Sequence, residues 1–296
     1  MERVKIKDSF EKYGGSPVFG SRDTGTMFDA YVWKWGDKLR MDVSWRPRKA
    51  LAVTFSDDGI HWSEPQITLA CDPSSGWEDD INRNCVLPSP DGNGFLMWYT
   101  GQAKGKSYIG VARSSDGITF ARFRTEPTLV PEGDFEGESV MNPFVMYENG
   151  KFRMWYAAGE TYEPNVICYA ESENGIDWRK YPSNPIFTCT PENEYEQNRI
   201  GSCHIIREDG GYLMFYIGYR DINTACICAA RSKDGIEGWR RVSENPLVTP
   251  TPGSWDEDSC YKPTVIRDGD GSYRLWYNGR CGGDEYIGYA FGNLTK

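Results

Sequence analysis

An aromatic strand closing on glycine returns along this chain. Phe95 to Gly101, Phe152 to Gly159, Tyr212 to Gly218 and Tyr273 to Gly279 share the pattern, and Leu39 to Ser44 is a divergent fifth copy. A second element follows four of these five copies, all but the last, a strand ending in Ser-x-(Asp/Asn)-Gly-Ile whose serines are Ser56, Ser114, Ser172 and Ser232, spaced 58, 58 and 60 residues apart. A third aligns without gaps over eight positions: Trp77 to Asn84, Phe135 to Asn142, Tyr195 to Ser202 and Trp255 to Lys262. Self-similarity at such a period marks propellers and solenoids. Each unit holds about four short alternating or aromatic-rich strands joined by Gly, Asn and Asp turns, which is the make-up of a propeller blade.

The last copy stops at Tyr286 to Ala290, where the Ser-x-Asp-Gly turn and an outer strand would follow. The missing piece has a match at the other end: Phe10 to Phe19 resembles Trp178 to Phe187, the outer-strand segment of an internal unit. The expectation is an all-β chain: one five-bladed β-propeller domain over residues 1–296, with four-stranded blades and an N-terminal segment closing the last.

Composition narrows the function. With 43 acidic against 33 basic side chains the net charge is −10, so neither a nucleic-acid backbone nor a membrane surface is an expected partner. No run approaches the roughly 18 apolar residues of a membrane span, and Met1 to Phe10 lacks a signal-peptide apolar stretch, so a cytoplasmic location is expected. The nine cysteines, in spacings such as Cys226-Ile-Cys228, match no zinc pattern and read mostly as reduced core residues. No Gly-x-Gly-x-x-Gly opens a helix and there is no P-loop; neither a metal nor a cofactor is expected.

In a propeller the loops leading into the innermost strands and the turns between second and third strands converge on one funnel, the concave place that suits a ligand. Residues repeated in every blade build the blade; residues breaking the pattern at the funnel are candidates for function. Glu78, Glu136, Glu196 and Asp256 fill one column and read as packing or capping groups, and the Asp or Asn of the glycine turns as turn chemistry. Asp29, opening the first inner strand where other copies have residues near Asn84, Asn142, Ser202 and Lys262, is the leading catalytic candidate. Asp80 and Glu138 share a column with Asn198 and Asp258 and are further catalytic candidates. His204 lies at an inner-strand start and reads equally as a channel residue or a ligand contact. The second-to-third turns contribute Trp45, Arg46, Glu160, Arg220 and Arg280, and the loops before the inner strands add Arg83, Arg199, Tyr261 and Lys262. So many cations on the funnel of an acidic protein suit a phosphate, carboxylate or densely hydroxylated ligand.

These repeats resemble the five-bladed propeller glycoside hydrolases of families 43, 32 and 130 over essentially the whole chain. In families 43 and 32 the resemblance implies an aspartate base or nucleophile at the first inner strand, which Asp29-Ala30 matches without the usual proline. It also implies an aspartate before proline in the third unit, where this chain has Asn142-Pro143, and a glutamate acid at the fourth inner strand, where it has Gly201-Ser202-Cys203-His204. Glycosidic cleavage by water needs a carboxyl pair. The expected activity is therefore an exo-acting glycosidase on short oligosaccharides, with Asp29 as base or nucleophile and Glu138 or Asp80 as acid. Two alternatives stand beside it: a phosphate-dependent mannoside phosphorylase resembling family 130, and a propeller that binds sugar without cleaving it.

Overall fold

The computed structural model describes residues 9–295; the expectation about Met1 to Phe10 falls largely outside them. Among the described residues twenty strands sort into five groups of four. Blade I is β2 (Met27–Trp35), β3 (Lys38–Trp45), β4 (Ala50–Ser56) and β5 (Gln66–Ala70), counting from the axis outward. Blade II is β6 (Asp80–Pro88), β7 (Phe95–Ala103), β8 (Lys106–Ser114) and β9 (Ala121–Arg122). Blade III is β10 (Ser139–Glu148), β11 (Lys151–Gly159), β12 (Pro164–Ser172) and β13 (Arg179–Lys180). Blade IV is β14 (Arg199–Glu208), β15 (Gly211–Asp221), β16 (Thr224–Ser232) and β17 (Arg240–Arg241). Blade V is β18 (Ser259–Arg267), β19 (Tyr273–Cys281), β20 (Asp284–Gly292) and, from the N-terminal side, β1 (Glu11–Lys12), whose Lys12 pairs with Ala290. The inner strands β2, β6, β10, β14 and β18 each pack on the next, and β18 packs on β2, closing the ring. Within each blade the ladders are antiparallel, and a single parallel bridge, Ser107 to Ser139, joins blades II and III. Among the described residues no helix is long and apolar enough to cross a membrane.

Each repeated element has a mechanical reason. Trp98 of β7 donates its indole N–H to the Gly175 carbonyl of the next blade's glycine turn at 2.7 Å, Trp155 of β11 donates to Gly235 at 2.7 Å, and Trp276 of β19 donates to Gly59 at 2.8 Å. In blade I the buried Arg40, held by Asp42, donates to Gly117 instead. In blade IV the position is Phe215, which packs on Tyr273 and on Phe10, the residue that fills the place of the next blade's turn. The Ser and the Asp or Asn of each turn bond its own backbone, as Ser114 and Asp116 do to the amides of Gly117, Ile118 and Thr119. Glycine is required there because φ is positive, +75° at Gly117.

The acidic column is also structural. Tyr99 donates to Glu78, Tyr156 to Glu136, Tyr216 to Glu196 and Tyr277 to Asp256, and each acid is ion-paired to a cation of its blade's outermost strand: Arg122, Lys180, Arg241 and Lys12. All four acids are buried, so the tyrosine and the cation offset their desolvation. Lys12 shows the N-terminal strand completing blade V as the other outer strands complete theirs. All nine cysteines are free thiols and six are buried.

Candidate functional site

The inner strands share one irregularity. Every one has a bulge at its start, and the residue there takes a positive φ without being glycine: Asp29 (57°), Arg83 (57°), Asn142 (54°), Ser202 (36°) and Lys262 (49°). Such backbone is uncommon for these residues and gathers at functional sites. Side chains of the preceding blade help hold it: Asn278, Ser44 and Thr100 accept the amides of Asp29, Arg83 and Asn142 at 3.0, 2.9 and 3.0 Å. The gapless alignment had set Asn84 beside Asn142. Blade II reaches its bulge one residue sooner, so Arg83 holds that place: Asn82 pairs with Thr100 of β7 as Met141 pairs with Ala157 of β11.

Above the bulges lies a cavity of about 230 Å³ lined by Asp29, Arg83, Asn142 and Lys262, by Tyr219 and Tyr261, and by Arg46, Tyr162, Glu163, Arg280 and Glu285 from the second and third strands and their turns. Below them the channel is plugged by Tyr31, Phe144 and His204, whose rings pack with centroids 4.6 to 6.2 Å apart. Several polar atoms of the bulge layer are buried without a hydrogen-bond partner: Asp29 Oδ2, Asn142 Oδ1, Ser202 Oγ and both amide atoms of Asn84. A buried polar atom left unpaired costs stability, so this layer is built to meet something else.

Charge in the cavity is finely divided. Arg83 Nε lies 3.6 Å from Asp29 Oδ2, Arg46 lies 3.4 Å from Glu285, and Arg280 lies 3.9 Å from Glu163. Lys262, only 4 % exposed, has no carboxylate within ion-pair distance among the described residues. Burial drives the Lys262 ammonium down from its usual range, against the pull of Asp29. Burial also pushes the Glu163 and Glu285 carboxyls up, beyond what Tyr219 and Arg83 do to lower the first and Arg46 and Tyr261 the second. Both phenols are held well above their ordinary range, by burial first and by the neighbouring glutamates. They therefore stay protonated and face the two glutamates as donors. Four cations, Arg46, Arg83, Lys262 and Arg280, face three carboxyls, Asp29, Glu163 and Glu285, and burial shifts the two glutamates toward their neutral forms, so the cavity favours an anion.

Of the residues singled out in the sequence, Asp29, Arg46, Arg83, Asn142, Tyr261, Lys262 and Arg280 line this cavity together. The others lie elsewhere. Glu138 is 61 % exposed and pairs with Lys106 at 3.4 Å. Asp80, at the start of β6, is half-buried, and burial raises its carboxyl. Trp45 donates to the Thr24 carbonyl at 2.9 Å and stacks under Arg48. Arg199 bonds Glu160 at 2.9 Å, and Arg220 is exposed. His204 belongs to the plug below; burial and the Lys262 charge hold its imidazole at about 3, so it is neutral.

Tyr162, Glu163, Tyr219 and Glu285 escaped the sequence reading. For Glu285 a signal existed: in the matching register of the other third strands stand Ser107 and Ala225, so its charge breaks the column as Asp29 breaks the column of bulges. Glu163 had no such signal, because the turn of blade III has its own length and only its fold sends Glu160 outward and Glu163 inward.

Comparisons with known proteins agree with this architecture. A family profile described as "beta-1,4-mannooligosaccharide phosphorylase" matches residues 91–290. An uncharacterized protein of Mycobacterium tuberculosis is 30 % identical over 208 residues, a match spanning 66 % of this chain and 66 % of that relative, just under two thirds of its length. A 1,2-β-oligomannan phosphorylase of Thermoanaerobacter is 30 % identical over 135 residues, 42 % of this chain and 44 % of the relative. Among solved structures, one described as a glycoside hydrolase superposes with a TM-score of 0.77 at 18 % identity, covering 98 % of this chain and 93 % of its own.

Proposed function

Because the chain belongs to glycoside hydrolase family 130, we propose that it cleaves the terminal linkage of a short mannoside by phosphorolysis in the cavity above the bulges. One observation carries this reading: Lys262, a buried ammonium with no carboxylate partner, stands beside Arg83 and the unpaired Asn142 amide oxygen on the cavity floor. Cleavage by water has no use for a buried ammonium outside any direct ion pair, whereas inorganic phosphate supplies its contact counter-charge.

In this reading Lys262 and Arg83 hold phosphate against the anomeric carbon, and Asp29 Oδ2 and Asn142 Oδ1 accept hydroxyl protons of the sugar. Glu163, whose carboxyl burial pushes up from its usual range, protonates the departing glycosidic oxygen. The C1–O bond to the leaving sugar breaks as the C1–O bond to phosphate forms from the opposite face, so the products are an inverted sugar 1-phosphate and the shortened saccharide. The remaining phosphate proton restores Glu163. A cavity of about 230 Å³ has room for little more than one ring and a phosphate, which suits action at a chain end. Glu138 and Asp80, which do not line the cavity, have no step here.

A second reading has its own observation. Glu285 is another buried carboxyl on the same cavity with its proton affinity raised, and it could serve as base toward water with Glu163 as acid, giving hydrolysis. Incubating the protein with β-mannobiose and β-mannooligosaccharides with and without inorganic phosphate, followed by phosphorus NMR, separates the two. The proposal expects a sugar 1-phosphate signal and no cleavage in phosphate-free buffer. Equal release of mannose in both buffers would replace it with hydrolysis.

A further inference from the structure

The turn between β11 and β12, residues 160–163, is secured from three blades. On one side Thr161 is bonded to Ser139 Oγ at 2.9 Å and to the Gly105 carbonyl, while its own carbonyl accepts from Gln102 at 3.1 Å and from Ser107 at 3.4 Å. On the other, Arg199 of blade IV donates to the Glu163 carbonyl at 2.7 Å, to the Glu160 carboxylate at 2.9 Å and to Asn198 Oδ1 at 2.6 Å. Between these anchors two neighbouring side chains reach the cavity: Glu163, half-buried, and Tyr162, which at 70 % is the most exposed large hydrophobic side chain in the described chain. An aromatic ring left open to water on a pinned turn, at the rim of a polar cavity, offers its face to an apolar sugar face.

We infer that this turn is the leaving-group subsite, in which Tyr162 stacks on the pyranose ring being released while Glu163 protonates its oxygen, and that Arg199 is the positioning residue that sets both. The inference rests on the cleavage reading above. It places the platform and the acid on consecutive residues, so the ring that rests on Tyr162 brings its glycosidic oxygen to Glu163. Arg199 acts in two ways: its bond to the Glu163 carbonyl fixes the turn, and its charge, with those of Arg83 and Arg280 and the hydroxyl of Tyr219, tempers the rise that burial imposes on Glu163.

Two variants test it. Tyr162→Ala removes an exposed ring and leaves every anchor of the turn in place. Calorimetric titration of mannobiose and of mannose into wild type and Tyr162→Ala in phosphate-free buffer is expected to show an advantage for the disaccharide that falls roughly threefold to tenfold in the variant, the size of one aromatic contact, with mannose affinity unchanged. An unchanged disaccharide advantage in Tyr162→Ala would overturn the subsite. Absence of mannobiose binding by wild type would instead overturn the cleavage reading and take the subsite with it.

Arg199→Met, checked for intact folding by thermal unfolding, is expected to lower kcat and to move the alkaline limb of the pH profile upward, because the acid loses a neighbouring cation and keeps its proton longer. Arg199→Lys should restore the limb without restoring the full rate. A fall in rate with the limb unmoved would show Arg199 to be a structural residue only.

Discussion

Two columns of residues run around this propeller a few positions apart, and they differ in kind. The outer column, Glu78, Glu136, Glu196 and Asp256, repeats one arrangement of acid, tyrosine and cation blade after blade. The inner column repeats only a backbone shape. Its five positions share a positive φ and carry a carboxylate, a guanidinium, an amide, a hydroxyl and an ammonium. Identical chemistry in identical places secures blades, and there each acid meets a tyrosine hydroxyl and a cation. Different chemistry in identical places yields an asymmetric site inside a near-symmetric frame, and there the polar atoms are left unmatched.

If that division is right, substitutions in the two regions should fail in opposite ways. The largest effect belongs to the cavity: Glu163→Gln should cut kcat by roughly a hundredfold to ten-thousandfold, the span of a general acid, with the unfolding midpoint unmoved in a thermal scan. Next is the scaffold. Glu136→Ala takes the acceptor from the buried Tyr156 hydroxyl and the buried one of two carboxylates from Lys180 and should lower the unfolding free energy by about 3 kcal/mol in urea, with activity per folded molecule retained. Burial pushes the Glu136 carboxyl up, but Lys180 and the amides of Glu132 and Gly133 outweigh it and hold it below its usual range. Its contribution is therefore present at neutral pH and lost as pH falls through the acid range, so the variant should lose less stability on acidification than wild type.

A smaller scaffold effect is expected at Trp155→Phe. It leaves the Gly235 carbonyl without its donor and should cost about 1 to 3 kcal/mol by the same urea measurement. Phe215 occupies the corresponding place in blade IV, where it packs on Phe10 and Tyr273, and Phe215→Trp should bring no matching gain. Smallest is His204→Gln: with its imidazole held at about 3, the histidine does not titrate near neutrality, and the midpoints of the pH-rate profile should stay where they are.

The frame was legible because a repeat is its own control. The spacing of the glycine turns, the match of Phe10 to Phe19 with an outer strand and the packing or capping role read for the acidic column all depend on comparing copies; β1 stands where that comparison put it, whereas the tyrosine partner of each acid was not read from the sequence. The cavity was legible where it sits on repeated positions, as for Asp29 and Lys262. It was hidden where the chain leaves the repeat. Glu163 and Tyr162 lie on a turn of singular length, and the choice between Glu160 and Glu163 was made by Arg199, a contact between blades 36 residues or more apart in sequence. The off-by-one at Asn84 has the same origin, since a bulge adds or removes a residue without changing the pattern on either side.

The most direct test of the account is the phosphate saturation curve of Lys262→Met. Because burial drives the Lys262 ammonium toward its neutral form, holding it charged at neutral pH costs folding energy, and the methionine variant should unfold no earlier than wild type. Its KM for phosphate should rise roughly tenfold to a hundredfold, the loss of a charge-assisted contact, while the KM for mannoside moves little. A phosphate KM equal to that of wild type, or a variant that simply fails to fold, would place Lys262 with the scaffold and contradict the division on which the proposed chemistry stands.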